Sequence, residues 1–181
     1  MIPIIDIFAG PGGLGEGFSS YTDENGEQAF NIALSVEKDV HAHSTLELRS
    51  FFRKFPRGEA PCEYYDYIRK KSLTNSPTVH KKLRSELFEK YPEQAHQASQ
   101  EAWHAELGND RKLNEKIDKR IKEVIGASDV KCWGMIGGPP CQAYSVIGRA
   151  RNKGISDYTA EGDLRSYLYR EYLRLIAQHE P

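Results

Sequence analysis

The sequence is poor in cysteine, and its cysteines do not pair by spacing. Cys62, Cys132 and Cys141 are three, an odd number, with no C-x-x-C between them. That argues against a disulfide framework and against a zinc site, and it points to a reducing, cytoplasmic compartment. Metal ligation is not expected. Long apolar runs are missing too, so no stretch reaches the length of a membrane span. The start, Met1-Ile2-Pro3-Ile4-Ile5-Asp6, has no basic region and carries an acid early, unlike a signal peptide. Neither sign of charge dominates: the net charge is -1. The chain is therefore no general polyanion binder, and contact with nucleic acid has to come from local patches or another polypeptide. Repeats and low-complexity tracts are absent. What remains is 181 residues, 39% of them hydrophobic, enough for one packed domain or most of one.

The order of patterns predicts an α/β chain. Ile2–Phe8 is a near-continuous apolar run closed by Gly10, as in a strand buried on both faces. Glycines follow at 10, 12, 13, 15 and 17, and a helix is expected from near Leu14. Phe30–Val36 is the next strand, and Asp39 caps a helix running to about Phe52. This β–loop–α–β–α opening is that of a doubly wound, mostly parallel, Rossmann-like sheet. Tyr64–Ile68 reads as a short third strand. Ser76-Pro77 starts a helix with Val79, Leu83, Leu87 and Phe88 on one face. A polar helix is expected from Pro92 to Gly108, and another after Asp110 with Leu113, Ile117, Ile121 and Val124 in a stripe. Residues 77–125 are thus expected to be a helical insertion with solvated outer faces. A strand at Cys132–Ile136 follows, then a polar, glycine-containing stretch, 142–162, expected to be a mobile loop. Asp163 caps a last helix through Leu164, Leu168, Leu175 and Ile176.

Two features carry chemistry. Gly10-Pro11-Gly12-Gly13-Leu14-Gly15 has G-x-G-x-x-G spacing between a strand and a helix, and Glu37 follows Gly15 by 22 residues. Such a loop lets a ligand approach the backbone at a helix N-terminus, and the acid can accept from ribose hydroxyls. This fits an adenosine-containing cofactor, either NAD or S-adenosylmethionine. Asp6 and Glu37 have a plainer reading as caps of local backbone groups. The second feature is Gly137-Gly138-Pro139-Pro140-Cys141. A lone cysteine at a strand end is usually a packed, apolar residue, the reading kept for Cys62 and Cys132. Cys141 has stiffening prolines before it and a polar loop after it. It also ends a strand on the edge where open α/β sheets bind ligands, which suggests a nucleophile.

These residues together resemble the DNA (cytosine-5) methyltransferase family. Asp6-Ile7-Phe8-Ala9-Gly10-Pro11-Gly12-Gly13-Leu14 is similar to its first motif, and Val36-Glu37-Lys38-Asp39 to its second. Gly137–Ser145 with Gly148 resembles the catalytic fourth motif. Asp163-Leu164-Arg165 with Leu168 resembles the fifth. The resemblance implies S-adenosylmethionine as cofactor, S-adenosylhomocysteine as product and double-stranded DNA as partner. It implies that Phe8 stacks on the adenine, that the Ala9, Gly10, Gly12, Gly13 and Leu14 backbone lines the methionine end, and that Glu37, with Lys38 beside it, meets the ribose. Pro140 and Leu168 would close the pocket. Cys141 would attack C6 of a flipped cytosine. Gln142, Ser145, Arg149, Arg151, Lys153 and Arg165 would meet DNA, although loop charges of this kind are also found simply solvated.

The third motif's acid is the weakest match, with Asp66 the first candidate and Asp129 the second. The later motifs, including a glutamate that holds cytosine N3 and the target-recognition domain, have no counterpart here. The resemblance therefore covers the N-terminal part of a catalytic domain, expected to be inactive alone and completed by further polypeptide. The alternative reading is a non-catalytic adenosine-ligand or interaction module derived from a methyltransferase.

Overall fold

The structure, a computed structural model, describes residues 1–108, 110–126, 132–139 and 168–181. Among the described residues four strands form one sheet: β1 (Ile2–Ile7), β2 (Phe30–Glu37), β3 (Ala102–His104) and β4 (Gly134–Gly137), in the order β3-β2-β1-β4. Every neighbouring pair is parallel. The chain winds outward from β1 to β3 and then crosses back to place β4 on the other side of β1. The gap between β1 and β4 is therefore the topological switch point, where sheets of this kind bind ligands.

The connections are α1 (Gly13–Ser20) between β1 and β2, and α2 (Val40–Arg53), α3 (Cys62–Ser72), α4 (Pro77–Lys90) and α5 (Pro92–Glu101) between β2 and β3. Then α6 (Arg111–Gly126) leads toward β4, and α7 (Leu168–His179) follows it. The expected caps form. Asp39 accepts from the N–H groups of His41 and Ala42 at 3.0 and 2.8 Å, and Ser76 accepts from Val79 with Pro77 in the first turn.

The central strands are buried on both faces, which explains their unbroken apolar sequence. One face carries Ile5, Ile7, Leu34 and Val36 against Ile117 and Ile121 of α6 and Leu175 of α7. The other face receives α1, with Gly15 against it: a Cβ there would stand in ordinary contact, 3.5 Å from Asp6 Oδ2 and 3.7 Å from Ile32. A separate apolar cluster, built around Leu48, Phe51, Tyr67, Leu87 and Ala98, joins α2 to α5. Glu101, only 4% exposed, ties α5 back to α2 through Arg53 at 2.6 Å and Lys54 at 2.5 Å.

Cys62 and Cys132, expected to be packed, are both exposed, and two expectations about the elements fail as well. Tyr64–Ile68 is not a strand but lies within α3. Its aromatic residues have high strand propensity, yet Tyr64 and Tyr67 lie three apart and both pack on the α2–α5 cluster. Pro61 starts this helix, and Arg69, Lys70 and Lys71 complement its C-terminal end. The helix expected from Pro92 to Gly108 stops at Glu101, and the third strand of the sheet begins at Ala102. The stretch 77–125 is thus not purely helical. It contains β3, and α6 packs on the sheet.

Candidate functional site

Three strand ends converge at the switch point. β1 ends at Ile7, and Phe8 turns the chain with a φ of 61°, a left-handed value that costs energy for a large side chain. The glycine loop after it is clamped from three sides. Ala9 N–H donates to Val36 O at 3.1 Å, Gly10 N–H donates to Glu37 Oε2 at 2.7 Å, and Arg49 donates to Pro11 O at 2.9 Å. Gly12 is the N-cap of α1 at φ 88°, and it offers no side-chain cap. The backbone conformation calls for glycine, and a Cβ would stand 2.9 Å from Leu46 Cδ1, so the end of Leu46 would have to shift.

Glu37 ends β2 and is committed on both oxygens, with Oε1 accepting from Asp39 N–H at 2.7 Å. Each carboxylate oxygen can accept twice, so hydroxyl groups of a ligand can still be held. The N-terminal helix position of Asp39 keeps its carboxyl below the ordinary range, through the Ala42 N–H first and His41 N–H after it. On the other side, β4 ends at Gly137, where a Cβ would stand 1.9 Å from Ile7 O. Only glycine lets β4 lie this close to β1.

Between these ends lies a cavity of about 300 Å³. Phe8, Gly10, Glu37, Lys38 and Leu168, all expected at the site, line it. Among the described residues Val36, Ala105, Leu107 and Gly138 also line it and were not anticipated. Ala9, Gly12, Gly13 and Leu14 belong to the same loop but do not face this cavity, and Leu14 is 51% exposed. The apolar walls with a carboxylate at one end match a nucleoside better than a pyrophosphate. Leu168 is held there by α7. Arg174 donates to Asp118 Oδ2 at 2.9 Å, and His179 meets Asp118 Oδ1 at 2.9 Å, so one α6 carboxylate grips α7 twice.

Asp66 is a correction. It sits on α3, half-exposed and paired with Arg69 at 2.7 Å, beside a separate groove of about 150 Å³ between α3 and α4. It is not at the cavity, because the segment that carries it is a helix of the α2–α5 cluster. The acid nearest in sequence to the cavity wall on the β3 side is Glu106, between the lining residues Ala105 and Leu107. It is ion-paired with Lys38 at 3.0 Å. A three-residue strand gives almost no periodic signal, so Glu106 was hidden. The run Ala102-Trp103-His104 before it was the only cue. Asp129, Pro140, Cys141, Gln142, Ser145, Arg149, Arg151, Lys153 and Arg165 lie outside the described residues.

Fold and site define a Rossmann-like α/β domain with a nucleoside-sized cavity at its switch point. Known proteins carry this further. The chain is 30% identical over 185 aligned residues, 98% of its length, to Type II methyltransferase M.Bpa9945I of Bacillus paralicheniformis, and it spans 38% of that protein. Shorter stretches match Type II methyltransferase M.FnuDI of Fusobacterium nucleatum, 38% identical over 36% of this chain and 17% of that one. A putative type II methyltransferase, M.OihORF3336P of Oceanobacillus iheyensis, is 52% identical over 22% of this chain and 9% of its own. No family model and no solved structure matches the chain. The architecture is a Rossmann-like methyltransferase fold, and the relatives are type II methyltransferases. No described helix is long and apolar enough to cross a membrane.

Proposed function

We propose that the chain is the cofactor-binding and nucleophile-bearing part of an S-adenosylmethionine-dependent DNA cytosine-5 methyltransferase of a bacterial restriction-modification system. The observation that carries this is the Glu37-clamped glycine loop opening on an apolar cavity at the β1–β4 switch point. The type II methyltransferase relatives favour methyl transfer over hydride transfer. The residues present fit the cofactor. Phe8, Val36, Ala105 and Leu107 offer apolar contact for an adenine, and Glu37 offers acceptors for a ribose. Glu106 replaces Asp66 as the acid proposed for the adenine end. When bound, the cofactor supplies an electrophilic methyl group.

In this reading Gly138 leads from the cavity wall toward Cys141. The Cys141 thiolate adds to C6 of a flipped cytosine, and C5 becomes nucleophilic and takes the methyl. A base then removes the C5 proton, and sulfur leaves as the double bond re-forms. A free thiol near pKa ~8.5 is mostly protonated at neutral pH, so the site must favour the thiolate. Gln142, Ser145, Arg149, Arg151 and Arg165 are proposed to meet DNA. The chain spans well under half of its Bacillus relative. Residues 1–181 alone are therefore proposed to bind cofactor without turnover, further polypeptide supplying the sequence reader.

The test is a methylation assay on mixed-sequence duplex DNA, together with trapping on DNA carrying 5-fluorocytosine. The full-length protein should form a covalent complex, and Cys141→Ser should lose both complex and turnover. Retained turnover in Cys141→Ser removes the mechanism. Cofactor binding without any covalent complex supports a non-catalytic module instead.

A further inference from the structure

One peptide unit beside the cavity is held from both ends. Its carbonyl belongs to Lys38 and its N–H to Asp39, and in a planar trans peptide the two point in opposite directions. The N–H donates to Glu37 Oε1 at 2.7 Å. The carbonyl accepts from His104 Nε2 at 2.8 Å. A carbonyl oxygen only accepts, so this nitrogen of His104 carries the proton. Rotating the peptide plane would break both contacts at once. His104 thereby reaches the Glu37 carboxylate without touching it.

The fold places His104 for this. It ends β3 as the register partner of Glu37, and the next residue, Ala105, donates its N–H to Glu37 O at 3.1 Å. From α2 the His43 ring lies 5.0 Å away, centroid to centroid, and His43 Nε2 donates to Ala102 O at 3.0 Å. The His104 ring is therefore restricted by a neighbour anchored to the same strand. The Lys38–Glu106 ion pair holds the Lys38 side chain but not its peptide. Lys38, Glu37 and Ala105 all line the cavity, so this arrangement is part of its wall.

We propose that His104 is a positioning residue for the nucleoside end of the cavity: through the Lys38–Asp39 peptide it keeps the Glu37 carboxylate turned toward the ribose hydroxyls. The proposal rests on the cofactor assignment above. Gly10 N–H fixes Oε2 and Asp39 N–H fixes Oε1, so two donors together set the carboxylate plane. The lone pairs left over then point in fixed directions. Without His104 the second donor is free to rotate, and one of the two constraints is lost. A hydrogen bond to the carbonyl end of a peptide also polarises its N–H end, which strengthens the contact between Asp39 and Glu37.

Calorimetric titration of residues 1–181 with S-adenosylhomocysteine, and with its analogue lacking both ribose hydroxyls, tests this. His104→Ala should weaken the first about fivefold to tenfold, and the second less than about twofold. His104→Gln, whose amide nitrogen stands in for Nε2, should return the first to within about twofold of the unsubstituted protein. In a Glu37→Ala background, His104→Ala should add less than about twofold. Equal losses for the two ligands, His104→Gln as weak as His104→Ala, or additive effects of the two alanine substitutions overturn the proposal. Each would describe a histidine that only supports the wall, and each leaves the cofactor assignment standing. Absence of binding of S-adenosylhomocysteine and S-adenosylmethionine by the unsubstituted protein overturns both. Should His104→Ala fail to fold, magnetic resonance of the unsubstituted protein decides. His104 must carry its proton on Nε2, and S-adenosylhomocysteine must protect the Asp39 N–H from exchange more than the analogue does. A proton on Nδ1 alone, or equal protection by both ligands, overturns the proposal.

Discussion

Glu37 accepts the N–H of Gly10 at 2.7 Å across 27 residues of chain, joining the end of β2 to the loop that follows β1. One carboxylate thus shapes the loop and faces the cavity at once. Glu37→Ala removes both actions, while Glu37→Gln keeps an acceptor for Gly10 and loses the charge. We expect S-adenosylmethionine binding to weaken at least tenfold in Glu37→Ala and less in Glu37→Gln. The alanine variant should also lose about 1–3 kcal/mol of stability from the unpaired backbone donors. Calorimetry with chemical denaturation measures the two separately. Equal affinity in Glu37→Ala and the unsubstituted protein would remove Glu37 from the ligand site.

Gly137 offers a sharper steric test. Its Cβ position lies 1.9 Å from Ile7 O, and its φ is 156°. Gly137→Ala must push β4 off β1, and the expected loss is about 3 kcal/mol or more, with hydrogen exchange opening first in β4. Gly13→Ala is the matched control. Nothing stands within 4 Å of its Cβ position, and it sits in the first turn of α1. Its stability should change by less than about 1 kcal/mol, toward stabilisation. Comparable losses in the two variants would show that the β1–β4 approach is not as tight as described.

Asp118 grips α7 through Arg174 and His179, both at 2.9 Å. The His179 side chain is 2% exposed and that of Asp118 14%, so solvent replaces this contact poorly. Asp118→Ala leaves the buried His179 ring without this partner, while Arg174 keeps Glu171 and Gln178, so the cost is about 1–3 kcal/mol. The change should be local. Faster hydrogen exchange is expected in α7, and cofactor affinity should fall because Leu168 at the start of α7 lines the cavity. An α7 that exchanges as slowly in Asp118→Ala as in the unsubstituted protein would assign its anchorage to Leu175 and the apolar core instead.

How much of this was legible beforehand follows from the length of each signal. β1 and β2 announce themselves because they are buried on both faces, and the loop because its glycines have fixed spacing. Asp39 and Ser76 act locally, so their caps were readable as well. β3 was not readable. Three residues carry less than two periods of alternation, and a polar helix runs directly into them. Without β3, Tyr64–Ile68 was the best third strand available, and Asp66 was chosen on it. The apolar wall at Ala105 and Leu107 was lost with β3. The partner of Asp118 could not be seen at all, because α6 and α7 meet only through the fold.

The pH dependence of stability follows from Asp6, whose carboxyl stands at about 7 against an ordinary 3.8. Burial by desolvation is the main cause, and the Gly15 backbone and Arg53 oppose it. With the folded value above the unfolded one, the native state binds more protons than the unfolded chain at pH values between them. Stability from this group is therefore fully present below about pH 4, declines through the interval and is gone above about pH 7. The integrated effect is at most about 4 kcal/mol. Asp39 acts in the opposite direction, its helix-capping carboxylate being lowered, so its contribution is lost as pH falls through the acid range. Denaturant melts between about pH 5 and pH 8 should show falling stability in the unsubstituted protein and a flatter profile in Asp6→Asn. A melt series that rises over this interval would mean that Asp6 is ionised in the fold, held by Arg53 more firmly than burial opposes it.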